Sequence, residues 1–181
     1  MAEKKILIVV DMQHDFVDGS LGTPEAQAIV SKVDNLIENG GFDEIYYTFD
    51  THYSNYLNTL EGKKLPVPHC IMGTKGWSLS TIHSPASRKH QVIKETFGYV
   101  DWDYKLSSEY WAGGSESDIE SITIVGLCTD ICVISNALVI RALYYNIPII
   151  CDASCCAGTT PEAHKAALAV MKSCQIDVIN E

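Results

Sequence analysis

Short apolar runs that each end on a polar residue or a glycine constrain the fold of this 181-residue chain more than any other feature. Ile6-Leu-Ile-Val-Val10 stops at Asp11, Ile45-Tyr-Tyr-Thr-Phe49 at Asp50, and Gln91-Val-Ile93 at Lys94. Ile122-Thr-Ile-Val125 stops at Gly126, Ile147-Pro-Ile-Ile-Cys151 at Asp152, and Gln175 to Ile179 supplies a last run. Runs of this length and composition, separated by helical stretches, read as strands covered on both faces. The expected architecture is a three-layer α/β/α fold around a mainly parallel six-stranded sheet, with residues 1–181 as one domain. In such a sheet the C-terminal strand ends share one edge, and ligands bind there where the strand order reverses. The strand ends at Asp11, Asp50, Lys94, Gly126 and Asp152 are therefore expected along this edge, where two acids, a lysine and one or two cysteines would converge.

The helical stretches carry their own signals. Thr23 is placed as an N-cap with Pro24 in the first helical position, and the helix runs to about Glu38 before Gly40-Gly41 stops it. A second helix is predicted over Asp130–Tyr145, apolar on nearly all sides and so buried. Thr160-Pro161-Glu162 opens a third, through about Lys172. Residues 51–90 break this rhythm: prolines and glycines interrupt them, periodicity is weak, and they hold four of the six histidines. A long stretch of that kind reads as a functional loop.

Composition excludes several classes of function. A chain with 46% hydrophobic and 20% charged residues is globular rather than disordered. A formal charge of −10 disfavours nucleic acid or an anionic membrane as partner. No run approaches the roughly 20 apolar residues of a membrane span, and Met-Ala-Glu-Lys-Lys lacks the pattern of a secretory leader. Seven cysteines, at 70, 128, 132, 151, 155, 156 and 174, are then expected as reduced thiols in the cytoplasm, not as a disulfide framework.

Chemistry concentrates at two places. In Gly126-Leu-Cys-Thr-Asp-Ile-Cys132, a strand turns sharply into a helix, and Cys132 falls in the first helical turn. Free N–H groups and the helix dipole there favour a thiolate and can also hold an oxyanion. Cys128 lies in the same turn, so spacing alone leaves two candidates. Asp11 could exchange a proton with the thiol, and Lys94 could pair with Asp11. Asp50-Thr-His52, followed by His69 in a proline-flanked stretch and with Glu61 between them, offers carboxylate and imidazole ligands for Zn²⁺, Mn²⁺ or Fe²⁺.

Taken in order, Asp11-x-Gln13-x-x-Phe16, Asp50-x-His52, Pro68-His69-Cys-Ile-Met-Gly73-Thr74, Lys94-x-Thr96-Phe97 and Gly126-Leu-Cys-Thr129-Asp130-Ile-Cys132-Val133 span almost the whole chain. Together they resemble the isochorismatase-like cysteine hydrolases, and among these the nicotinamidase-related amidases. The resemblance implies a Rossmann-like fold and a triad of Asp11, Lys94 and Cys132. It implies an oxyanion hole from the N–H groups of Cys128 and Cys132, next to a cis Leu127–Cys128 peptide. It implies one divalent metal per chain, zinc foremost with Mn or Fe as alternatives, on Asp50, His52 and His69, with Glu61 as the further ligand. Phe16 and either Tyr99 or Trp102 would flank the substrate ring. The expected reaction converts nicotinamide and water to nicotinate and ammonia, within NAD metabolism, in a homo-oligomer with no nucleic-acid or membrane partner. Another small amide or ureido substrate, or a thiol- or metal-sensing role without catalysis, are the rival readings. The chain departs from the pattern at Leu65-Pro66-Val67-Pro68, where a tryptophan is frequent, and at Cys128, where a small Ala or Thr is frequent.

Overall fold

The structure, a computed structural model, describes residues 3–81, 83, 90–110 and 118–181, the side chains of 107–110 excepted. Its strands are β1 (Lys4–Val10), β2 (Glu44–Asp50), β3 (Gln91–Lys94), β4 (Ile119–Leu127), β5 (Ile149–Ala157) and β6 (Asp177–Ile179). They form one six-stranded sheet in the order β3-β2-β1-β4-β5-β6. Every adjacent pair is parallel. β1 is central, and Ile6 to Val10 are fully buried, as an uninterrupted apolar run requires when both faces are covered.

The helices are α1 (His14–Val17), α2 (Pro24–Asn39), α3 (Leu60–Lys64), α4 (Trp102–Tyr110), α5 (Ile134–Leu143) and α6 (Pro161–Ser173). Right-handed crossovers leave β1 in one direction and β4 in the other, which puts α2 on one face and α4, α5 and α6 on the opposite face. The packing agrees: α2 contacts β4 and β5, while α5 contacts both α4 and α6. Thr23 and Thr160 cap α2 and α6 through the N–H groups of Ala26 and Ala163, each helix opening on a proline. No helix among the described residues is long and apolar enough to cross a membrane. All seven cysteines are free thiols.

Four expectations need correction. β5 does not stop at Asp152 but continues to Ala157. Its register against β4 jumps from Ile124↔Cys151 to Gly126↔Cys156, so extra residues bulge out. Asp152 sits in that bulge, accepting from Ser154 and Asn180, away from the sheet edge. The helix expected over Asp130–Tyr145 begins as a π-turn, Thr129–Val133, and α5 covers Ile134–Leu143. It lies in an outer layer and buries Ala137 and Ile140, while Leu138 is exposed. The stretch after β2 is not structureless either: it holds a 3₁₀ turn, Tyr56–Asn58, then α3, and His52 bridges to Ile71 in parallel. Finally, α4 carries no signal that the sequence reading used; its buried Trp102 and Leu106 anchor it.

The strand order reverses between β1 and β4, and the two strands come closest where Val10 faces Gly126. Gly126 has φ +117°, and a Cβ there would stand 2.1 Å from the Val10 carbonyl oxygen. Only glycine lets the strand ends approach in this way. Gly126→Ala is therefore expected to cost about 2–4 kcal/mol, through strain and forced separation of the strands. Urea unfolding checks it: a wild-type midpoint would mean that the ends can part freely.

Candidate active site

The edge at this reversal carries the first cluster. Asp11 follows β1 in a left-handed turn (φ +45°) that points its carboxyl back under the sheet edge. There Asp11 N–H donates to Thr48 Oγ1 (3.1 Å), and the same hydroxyl donates to Asp11 Oδ1 (2.5 Å). Register pairs Asp50 of β2 with Lys94 of β3, so the lysine ends beside both acids. Lys94 Nζ lies 2.6 Å from Asp11 Oδ2, 3.7 Å from Asp50 Oδ1 and 3.6 Å from Cys132 Sγ. Its side chain and that of Asp11 are wholly shielded from solvent.

Burial shapes the charges of this group. It works against the Lys94 ammonium, yet Asp11, Cys132 and Asp50 outweigh it and hold the lysine charged beyond its ordinary range. Burial pushes the Asp11 carboxyl up, against the pull of Lys94 and with the help of Asp50. It also pushes the Cys132 thiol well up, with Asp11 adding to the effect and Lys94 opposing it. Burial thus works against the thiolate expected from the helix dipole. Transfer of the proton to Asp11 keeps the net charge of the cluster constant, with Lys94 beside either anion. An acid of raised basicity suits that exchange. Cys128, whose peptide bond with Leu127 is cis, lies in the same turn, and burial with nearby Asp130, Asp11 and Asp50 pushes its thiol up to about 12.

Asp50 also belongs to a second cluster. His52 Nε2 lies 3.0 Å and His69 Nε2 3.5 Å from Asp50 Oδ2, and both are 3.6 Å from Glu61 Oε1 on α3. The ligand atoms of Asp50, His52 and His69 fall within 4.8 Å of one another. His69 Nδ1 is 2.8 Å from the Val67 carbonyl, which fixes the proton there and leaves the Nε2 lone pair facing inward. His52 Nε2 is buried without an aligned hydrogen-bond partner. Burial, opposed by His52, His69 and Lys94, leaves the Asp50 carboxyl below its ordinary range. An orphaned inward imidazole nitrogen, a second beside it and one or two carboxylates are the donor set of a divalent transition metal. Tyr56 packs against both imidazole rings and anchors its hydroxyl on the Leu65 carbonyl. The other two histidines of residues 51–90 lie elsewhere; His90, for one, bonds Glu44.

A cavity of about 910 Å³ opens over both clusters. Cys128, Cys132, Asp50, His52, His69, Glu61 and Phe16 line it; Asp11 and Lys94 stand behind Cys132. Phe16 is tilted against the His69 ring at 5.4 Å. Tyr99 and Trp102 do not line it, which corrects their expected place beside a substrate. Trp102 is fully buried and donates its indole N–H to Asn136, and Tyr99 packs on its edge. The aromatic after Lys94 that does line the cavity is Phe97, already inside the quoted motif.

Comparison with known proteins agrees with this arrangement. The family model described as an isochorismatase domain matches residues 5–181. The chain belongs to the isochorismatase family. It is 30% identical to the isochorismatase family protein PncA of Bacillus subtilis (strain 168), over 91% of this chain and 92% of that one. A pyrazinamidase of Pyrococcus horikoshii, solved in complex with zinc, superposes with a TM-score of 0.73 at 27% identity, covering 98% of this chain and 99% of its own. A nicotinamidase PncA structure from Bacillus subtilis gives 0.72 at 29% identity, covering 98% and 99%.

Three buried polar residues of this isochorismatase-family site had no role assigned from the sequence, although Gln13 stands in the quoted motif. Gln13 donates to the Asp50 and Trp77 carbonyls (2.9 and 2.8 Å) and accepts from Asp50 N–H (2.8 Å), fixing the acid shared by the two clusters. Thr48 orients Asp11 as described. Asn136, one turn beyond Cys132, donates to the Cys132 carbonyl (2.7 Å) and the Phe97 carbonyl (3.2 Å). Its oxygen accepts from Tyr99 N–H (2.9 Å) and Trp102 Nε1 (2.8 Å). A polar residue predicted on a buried helix face, with no solvent to satisfy it, was the available signal.

Two outcomes are expected. Asn136→Ala strands four partners, two of them in buried hydrogen bonds, so stability should fall by about 2–4 kcal/mol. Thermal unfolding reads that loss, and an unchanged midpoint would mean that water replaces the amide. Asp11→Asn removes the anion that raises the Cys132 thiol while Lys94 stays, so the thiol drops towards its ordinary value. Iodoacetamide should then alkylate Cys132 faster than in wild type at pH 7–8, while turnover falls about 10²–10⁴-fold. An alkylation rate equal to that of wild type would remove Asp11 from contact with the thiol.

Proposed function

We propose that this protein is a metal-containing cysteine amidohydrolase that converts nicotinamide and water to nicotinate and ammonia. One observation carries the reading: a buried acid–lysine–thiol cluster and a buried carboxylate–imidazole cluster share Asp50–Lys94 contact and open into one cavity. Similarity to a nicotinamidase and to a zinc-bound pyrazinamidase supports an amide substrate.

Cys132 passes its proton to Asp11 and its sulfur bonds to the carboxamide carbon. Negative charge moves onto the carbonyl oxygen, and the N–H groups of Cys128 and Cys132 hold it. The C–N bond breaks, Asp11 returns the proton to the nitrogen, and ammonia leaves an acyl thioester. Asp11 then takes a proton from water, whose oxygen adds to the thioester carbon; expulsion of sulfur, reprotonated by Asp11, frees the acid and the thiol. Lys94 stays charged throughout, stabilising whichever partner is anionic. Phe16 flanks the flat ring. Asp50, His52, His69 and Glu61 would hold a divalent ion, zinc by the best fit of donors. Such an ion supplies a Lewis-acidic point that orients the ring nitrogen and polarises water.

Ammonia release from nicotinamide tests the whole reading. Wild type should release it, Cys132→Ala should lose several orders of magnitude, and Cys128→Ala should keep most of the activity. About one transition-metal ion per chain is expected, lowered in His52→Ala and His69→Ala. The reverse ranking of the cysteine variants would move the nucleophile to Cys128, and fully active protein free of metal would remove the ion.

A further inference from the structure

A single nitrogen, Lys94 Nζ, reaches both Cys132 Sγ (3.6 Å) and Asp50 Oδ1 (3.7 Å), so thiol and carboxylate cluster stand close together at one end of the cavity. Nicotinamide is one ring with its carboxamide. The cavity is far larger, about 910 Å³, close to the top of the range of about 300–1,000 Å³ typical of sites that enclose drug-sized ligands. Its outer wall is apolar and open to water. Leu60 is 72% exposed, Phe97 48%, Tyr53 44% and Leu65 37%, and all four line the same space as Cys132. Lys64 and Glu95, also lining it, carry opposite charges and give the outer wall no net sign.

We propose that this outer wall is a subsite for an apolar extension of the substrate's acyl group, so that the enzyme takes ring carboxamides bearing an alkyl or aryl substituent in preference to nicotinamide itself. The inference rests on the amidase reading above. The occupant is committed by continuity: the wall opens from the reactive end with no break in the cavity, so a group covering it is attached to the molecule whose amide meets Cys132. Clustered apolar side chains around an open concavity mark a contact with something apolar. Hydrolysis is unchanged, since the extension touches nothing that reacts. Its contacts exist equally before and in the transition state, so the gain falls on KM while kcat holds steady. Full burial of a methylene is worth about fourfold in affinity. On a half-open wall, three carbons should give about tenfold.

The test measures ammonia release from nicotinamide and from pyridine-3-carboxamides carrying a propyl or phenyl group at position 5, meta to both the ring nitrogen and the carboxamide. The expected result is a kcat/KM about tenfold higher for the 5-propyl compound, through KM alone. A Leu60→Ser/Leu65→Ser variant, altered only at side chains already facing water, should erase that preference while its thermal midpoint stays near wild type. A 5-propyl compound used no better than nicotinamide overturns the subsite and leaves the amidase reading intact. A preference that survives in the double variant overturns its assignment to this wall. Release of ammonia from none of the compounds overturns the amidase reading, and the subsite with it.

Discussion

The ion contact between Lys94 and Asp11, 2.6 Å long and closed to solvent, is the interaction on which the rest of the site depends. An ammonium taken out of water costs several kcal/mol unless carboxylates surround it closely. Here Asp11 and Asp50 both do so, from the ends of neighbouring strands. The lysine thus touches Cys132, Asp11 and Asp50, which belongs to the metal-type cluster. Its charge opposes part of what burial does to both the Asp11 carboxyl and the Cys132 thiol. The two clusters are electrostatically a single unit, held at fixed spacing by β2–β3 register rather than by any flexible loop.

Much of this was legible in the chain. Apolar runs ending at Asp11, Asp50, Lys94 and Gly126 gave both the strands and the edge where their ends meet, because a parallel sheet aligns all its C-terminal ends. The Thr-Pro starts of α2 and α6 were legible because capping is local chemistry. What was hidden depends on the third dimension. Asp152 looked like a strand end because a bulge is a register event between two strands, and a single strand does not display it. Trp102 and Tyr99 looked like substrate contacts because they follow Lys94 closely, but Asn136 draws both inward. What opposes a Cys132 thiolate was hidden because position in a helix is visible in a sequence, whereas full burial beside an acid is not.

The braces show how the protein keeps such a site in order. Gln13, Thr48 and Asn136 are neutral, buried and fully engaged, and each fixes a functional residue through hydrogen bonds rather than charge. A neutral brace holds geometry without disturbing proton affinities, which a fourth ion in the same space would do. Asp130 extends the scheme outward: its carboxylate accepts from the N–H and hydroxyl of Thr159, tying the nucleophile turn to the segment that enters α6.

The central position of β1 has a consequence for how the molecule comes into being. Of the six strands β1 is synthesised before the rest, and one of its edges pairs with β2, which begins only at residue 44. The other edge pairs with β4, so Ile6 must wait for Ile122 and Val10 for Gly126. During synthesis five consecutive apolar residues of β1 therefore stand with an open edge until β4 has been made, a state prone to pairing with other chains. Closing so long a loop is entropically slow. The edge that carries the site is consequently among the last features to form, and a chain cut short before β4 carries Asp11, Asp50 and Lys94 without the Cys132 that meets them.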